Sequence, residues 1–226
     1  MLADDVLVAL RAETEAMSAV LFALEPAQFA LPTNCPPWDL RELVVHTAAS
    51  VRIGAPIPAA DTESVPSSAA DYYRRPERDT GQYRQRNVDN TQELARQLPA
   101  ETSPAQFFDE VTREAVTKLG HDDLDRIVLI AQRGAMRLAD WVVTRVISVA
   151  AHGLDVAITL DRPPWTTSAA LTVIRLVFVE LIGAPLPASL GWDDHRLLAT
   201  ATGRQPLTAE ERQHLGPLQE RFPVLS

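Results

Sequence analysis

The sequence predicts an all-α protein, an antiparallel four-helix bundle with additional C-terminal helices. Three observations carry this. Apolar residues recur at helical spacing in several segments long enough to be bundle helices. Cap and turn residues separate those segments. The most apolar segment, Asp140 to Leu160, inverts the usual pattern. Val142, Val143, Val146, Ile147, Val149, Ala150, Leu154, Val156 and Ile158 cover most of its circumference, and its polar residues form the stripe. Trp141, Thr144, Arg145, Ser148, His152, Asp155 and Thr159 are spaced mostly by threes and fours. At about 100° per residue they fall within roughly a third of the circle. A buried helix with such a row must satisfy those groups or use them.

The first helix spans 3–24, with Val6, Leu7, Leu10, Met17, Val20, Leu21 and Leu24 at helical spacing and Glu25-Pro26 near its end. A Pro-rich connection follows from Phe29 to Pro37, where Pro36-Pro37 forbids a helix. Asp39 is an N-cap with Glu42 three residues later, a capping box that opens a helix over Leu40 to Val51 with His46 in its middle. From Arg52 to Arg78 the periodicity breaks at Pro56, Pro58, Pro66 and Pro76, which predicts a long loop. Tyr72, Tyr73, Arg74 and Arg75 lie in it, either as a lid that reads an anionic ligand or as an exposed polar loop. Gln82 to Gln97 reads as a polar helix, and Thr102 or Ser103 caps another from Pro104 to Leu119. Between Asp122 and Gln132 the residues Ile127 to Ile130 read as a short extended piece, and Gly134 permits a turn. Asp161-Arg162-Pro163-Pro164 stops the central helix, which spans 138–160. Ser168 to Ile182 is a strongly apolar helix, and shorter ones follow near Asp194–Thr202 and Thr208–Leu218. The expected organisation is a bundle over 1–165 and a C-terminal helical extension over 166–226, packed together as one unit.

Composition narrows the function. A formal net charge of −9 argues against nucleic acid, whose binders carry basic patches. No Lys/Arg run suits a membrane surface, no apolar run approaches the ~18 residues of a span, and no leader pattern opens the chain. One cysteine, Cys35, excludes an internal disulfide and a cysteine-based zinc knuckle. It sits beside two prolines with no charged sequence neighbour to depress its pKa, which disfavours it as a nucleophile. The expectation is a cytoplasmic protein with a small-molecule partner, neither nucleic acid nor membrane, and with room for a homodimer.

Cys35-Pro36-Pro37-Trp38-Asp39-Leu40-Arg41-Glu42-Leu43-Val44-Val45-His46 resembles the C-x-x-W-x-x-x-x-L-x-x-H stretch of the DinB-like superfamily, in the branch of the mycothiol-dependent maleylpyruvate isomerases of actinobacteria. Trp141, Arg145, His152 and Asp155 match that family's W-x-x-x-R-x-x-E-x-x-x-H-x-x-D stretch, and the ending from Ala201 to Leu207, running to Arg221-Phe222-Pro223, resembles its tails. The resemblance implies a DinB-like four-helix bundle, a divalent metal (zinc or nickel) held by two histidines and a glutamate, and mycothiol as cosubstrate in a thiol transfer or isomerisation. His46 and His152 fall on the two histidines. Ser148 stands where the family has its glutamate, and it is too short and neutral to replace it. A weak or lost metal follows as an expectation. Asp155 is either a substitute ligand or a group that orients an inward side chain or pairs with Arg145.

Three readings remain open at this stage. In the first, an isomerase or cyclase of actinobacterial specialised metabolism kept the pocket and uses His46, Ser148 and His152 for acid/base or hydrogen-bonding work without a tight metal. Trp141, Arg145, Asp155, Tyr72 and Tyr73 would then contact the substrate. In the second, the ordinary metal- and thiol-dependent chemistry survives with a replacement ligand. The third is a binding protein without turnover.

Overall fold

A computed structural model describes residues 2–54, 57–61, 63–76, 80–99, 101–130 and 133–225. Pro56, Arg78 and Gln132, three of the loop positions noted above, lie outside these. The helices are α1 (Ala3–Phe22), α2 (Leu40–Val51), α3 (Ala69–Tyr73), α4 (Gly81–Gln97), α5 (Pro104–Gly120), α6 (Leu138–Thr159), α7 (Ser168–Ile182), α8 (Asp194–Ala201) and α9 (Ala209–Leu215). Two short strands, β1 (Ile127–Ile130) and β2 (Gly134–Arg137), form an antiparallel hairpin that pairs Ile127 with Arg137 and Ile130 with Gly134. The all-α expectation is met.

The bundle is a square of α1, α5, α2 and α6, each packed against the next. Its directions follow from side-chain pairings. His46 and Ser50 of α2 meet His152 and Ser148 of α6, so those two helices are antiparallel. Gly120 of α5 lies over Leu7 of α1, while Arg11 to Ser18 face Asp109 to Thr117, which makes that pair antiparallel too. The starts of α2 and α5 share a groove and Lys118 of α5 donates to the Ile53 carbonyl, so α2 and α5 run parallel. A connection from one end of the bundle to the other is therefore required between them. The stretch 52–103 supplies it and carries α3 and α4. Its loop brackets the hairpin: Ala59 pairs beside Val128 on β1 and Ser67 beside Met136 on β2.

The caps explain where helices begin. Asp39 accepts from the Glu42 amide at 2.8 Å and Glu42 reaches back to the Asp39 amide, the box read from sequence. Ser103 with Gln106 and Thr208 with Glu211 close equivalent boxes. Asp161 follows α6 in the left-handed region at φ 52°, a conformation Asp tolerates, and ends that helix. One cap is long-range: Glu13, fully buried on α1, accepts from the Thr167 amide at 2.8 Å and hydroxyl at 2.9 Å, tying the start of α7 to the bundle.

Val142, Val143, Val146, Val149 and Ala150 of α6 are fully buried, consistent with its apolar circumference. One expectation is corrected here. α6 is long and apolar enough to cross a membrane, with a mean hydropathy of 1.4 over its most apolar window. That window is 72% buried inside the bundle, which marks a core helix.

Candidate functional site

The polar stripe of α6 faces a cavity of about 450 Å³. Ser148 and His152, one turn apart, look across it at His46 and Ser50 of α2. Tyr72 and Tyr73 of α3 and Arg145 form one end, and Thr202, Arg204 and Leu225 of the C-terminal segment form another. Tyr83, Asn87, Asn90, Thr91 and Leu94 form the α4 wall. Among the described residues, arginines line the cavity and no Asp or Glu does.

The histidine rings are 5.2 Å apart in an edge-on arrangement, and Trp38 stacks on His46 at 4.4 Å. His152 Nδ1 lies 2.9 Å from Asp155 Oδ2. The carboxylate can only accept, so His152 carries its proton on Nδ1 and keeps Nε2 as the accepting nitrogen. His46 Nδ1 lies 3.1 Å from the Thr91 hydroxyl of α4. Burial first, then the neighbouring His152 and Arg145, drive the His46 pKa down to about 3, so this imidazole is neutral at pH 7.

Asp155 lies behind the cavity and is fully buried. It accepts from Asn34 Nδ2 at 2.8 Å, from His152, and from Arg204 Nε and Nη2 at 3.0 and 2.7 Å. Burial pushes its carboxyl up, but the bonds from His152 and Arg204 outweigh that and hold it below the usual carboxylate range. The cation paired with Asp155 is thus Arg204, not Arg145 as the sequence alternative had it. Cys35 joins this cluster. Burial and the adjacent Asp155 push its thiol up to about 12, so it is protonated at pH 7. The thiol does have charged neighbours in space: Asp155 acts against thiolate formation, and Arg204 offsets only part of that.

Arg145 is held differently. Nη1 donates to the Ser50 carbonyl at 2.9 Å, Nη2 to the Tyr72 hydroxyl at 2.8 Å, and Nε to Thr144 Oγ1 at 3.0 Å. Its guanidinium stacks over Trp141 and Tyr72, 5.3 Å from each ring. Every one of these partners is neutral. Trp141 is nearly buried and supports Arg145 from behind without lining the cavity. Arg74 turns away to Asp71 and Glu180.

His46, Ser148 and His152, the positions that the resemblance assigns to a metal, form one donor set. His46 and His152 each offer one remaining ring nitrogen, and Ser148 a hydroxyl 3.0 Å from Ser50 Oγ. Two imidazoles and an alcohol, with no anionic ligand and beside two guanidiniums, do not fit a tightly held dication. Cys35, His152 and Asp155 offer a second grouping, with ligand atoms within 4.8 Å of one another. Its thiol is protonated and its carboxylate is saturated by hydrogen bonds, so a metal there would have to displace Arg204.

Asn34, Ser50, Thr91, the rest of the α4 wall and Arg204 were not singled out in the sequence. The α4 face was legible in principle, because 83, 87, 90, 91 and 94 follow helical spacing. Arg204 sits in a turn after α8, where no periodicity points inward.

A family model described as the mycothiol maleylpyruvate isomerase N-terminal domain matches residues 10–157. Among solved structures the chain is similar to the crystal structure of the mycothiol-dependent maleylpyruvate isomerase, with 14% identity over 83% of this chain and 75% of that one and a TM-score of 0.48. It is similar to a histidine-to-alanine mutant of that protein at 13% identity, with the same coverage and TM-score. No curated protein matches.

Proposed function

The chain belongs to the mycothiol maleylpyruvate isomerase N-terminal domain family, and from that membership we propose that it is an isomerase of a small organic acid, working by proton transfer at His152. The observation that carries this reading is Arg145. It is a half-buried guanidinium in a cavity that no acidic side chain lines among the described residues, and its hydrogen-bond partners there are neutral. Such a charge favours an anionic ligand, and the second proton of Nη1, which the bond to the Ser50 carbonyl leaves over, can donate to a carboxylate.

With the acid anchored there, His152 is the base. Its Nε2 takes a proton from the substrate, Asp155 stabilises the imidazolium that forms, and the same nitrogen returns the proton elsewhere on the molecule. His46 remains neutral and serves as a hydrogen-bonding partner across the cavity. No step is assigned to a metal, because the donor set does not fit one. A cytoplasmic setting is part of this proposal.

A second reading makes mycothiol the cosubstrate, with His152 taking the thiol proton, and family membership favours it. One experiment separates the two. Purified protein is incubated in D2O with a panel of 2-hydroxy, 2-oxo and unsaturated acids, with and without mycothiol, and deuterium uptake is followed by NMR. Uptake without mycothiol that disappears in His152→Ala supports the first reading. Uptake only with mycothiol supports the second. Uptake unaffected by His152→Ala overturns both.

A further inference from the structure

The hydrogen bonds at the α2–α6 contact fix the chemistry that Ser148 presents. Ser50 Oγ lies 2.7 Å from the Thr47 carbonyl oxygen. A carbonyl only accepts, so the single hydroxyl proton of Ser50 is spent on that bond. Ser50 Oγ also lies 3.0 Å from Ser148 Oγ. With its own proton committed, Ser50 can only accept there, so Ser148 donates. The chain runs from Ser148 to Ser50 to Thr47, and both ends of it are held. Arg145 Nη1 grips the Ser50 carbonyl at 2.9 Å, and Thr47 is fully buried with its own hydroxyl on the Leu43 carbonyl at 2.8 Å.

We infer that Ser148 faces the cavity as a hydrogen-bond acceptor only, and that the site selects acids carrying a hydroxyl, amine or thiol donor next to the carboxylate. This rests on the reading of Arg145 as the carboxylate anchor. Arg145 and Ser148 are three residues apart on α6, so their side chains rise about 5–6 Å from each other on one face. One small molecule can reach both. A donor on the ligand pairs with the lone pairs of Ser148. An acceptor in the same place meets oxygen with oxygen and no proton between them. Ser50 is a positioning residue in this scheme: it borders the cavity, and it sets the polarity of its neighbour by accepting the Ser148 proton.

Mandelate and phenylglyoxylate are nearly isosteric anions that differ at this one group, a hydroxyl donor against a carbonyl acceptor. Their affinities are measured by NMR titration for wild type, Ser148→Ala, Ser50→Ala and Arg145→Gln, each confirmed as folded by circular dichroism. Wild type binds one mandelate enantiomer roughly three- to tenfold more tightly than phenylglyoxylate, the scale of one hydrogen bond. Ser148→Ala abolishes the preference. Ser50→Ala frees the Ser148 proton for the cavity, so the preference moves toward phenylglyoxylate, a change that mere loosening of the α2–α6 contact does not produce. If Arg145→Gln weakens both acids but wild type shows no preference for mandelate, or Ser50→Ala leaves the preference intact, the acceptor assignment is overturned alone. If neither acid binds, or Arg145→Gln changes neither affinity, the anion reading falls and this inference with it.

Discussion

Two guanidiniums border the same cavity and are treated in opposite ways. Arg204 is neutralised: two of its nitrogens sit on the fully buried Asp155, which also takes Asn34 and His152. Among the described residues, Arg145 has a carbonyl, two hydroxyls and two aromatic faces. The first arrangement is closed, with little capacity left to attract a ligand. The second leaves a full positive charge uncompensated beside an open space. A charge count alone would rank the two arginines equally. The identity of their partners separates a scaffold from a receptor.

The largest effect expected from breaking this contrast is at Asp155. Asp155→Ala leaves Arg204 buried without its counter-ion, and the cost should be about 3–5 kcal/mol of unfolding free energy, measured by urea denaturation. A loss below 1 kcal/mol would mean that the closed end contributes little to the fold. Next comes the open end. Arg145→Gln should cost far less stability but weaken binding of small carboxylates by about ten- to a hundredfold, the scale of a charge-assisted hydrogen bond. Isothermal titration calorimetry reads this directly, and unchanged affinity would remove the receptor role.

The third effect is a pH dependence. His46 is neutral in the folded chain down to about 3 against an ordinary 6.5, so between those values the unfolded chain binds more protons. Its contribution to stability is present above 6.5 and is lost as pH falls toward 3. The carboxyl of Asp155 is held below its ordinary 3.8, so its loss occurs in more acid solution. Between pH 7 and 5 wild type should therefore lose about 2 kcal/mol more than His46→Gln. Parallel pH curves for the two proteins would exclude His46 as the source. The smallest effect is with salt. Raising NaCl from 0.05 to 0.5 M should weaken acid binding at Arg145 about two- to threefold, while the buried Arg204–Asp155 pair keeps its contribution to unfolding.

What the sequence made legible was local. The Asp39–Glu42 box fixes the start of α2, and the bounds Leu40 and Val51 are those expected. The stripe of α6 announced Arg145, Ser148 and His152 because helical spacing is written in the chain itself. Other features depend on contacts distant in sequence. Thr91 reaches His46 across 45 positions, and Arg204 reaches Asp155 across 49. Neither partner is marked by its own neighbours. α3 escaped because five residues carry too little periodicity, although Ser68 and Asp71 form a capping box inside the expected loop. The hairpin was half seen: β1 is a run of branched apolar residues, whereas β2, Gly-Ala-Met-Arg, has no strand signature.

The parallel course of α2 and α5 has a consequence for how such a protein can diversify. An antiparallel neighbour is reached by a tight turn, which leaves nothing to vary. Here the chain must travel the length of the bundle, and along the way it lays down Tyr72, Tyr73 and the whole α4 face of the cavity. Insertions, deletions and substitutions in that stretch can reshape one wall of the chamber while the four-helix square, which holds Arg145, Ser148 and both histidines, keeps its packing. The crossover is thus the adjustable part of an otherwise fixed frame, and a family built on it can change what it binds without first solving again how to fold.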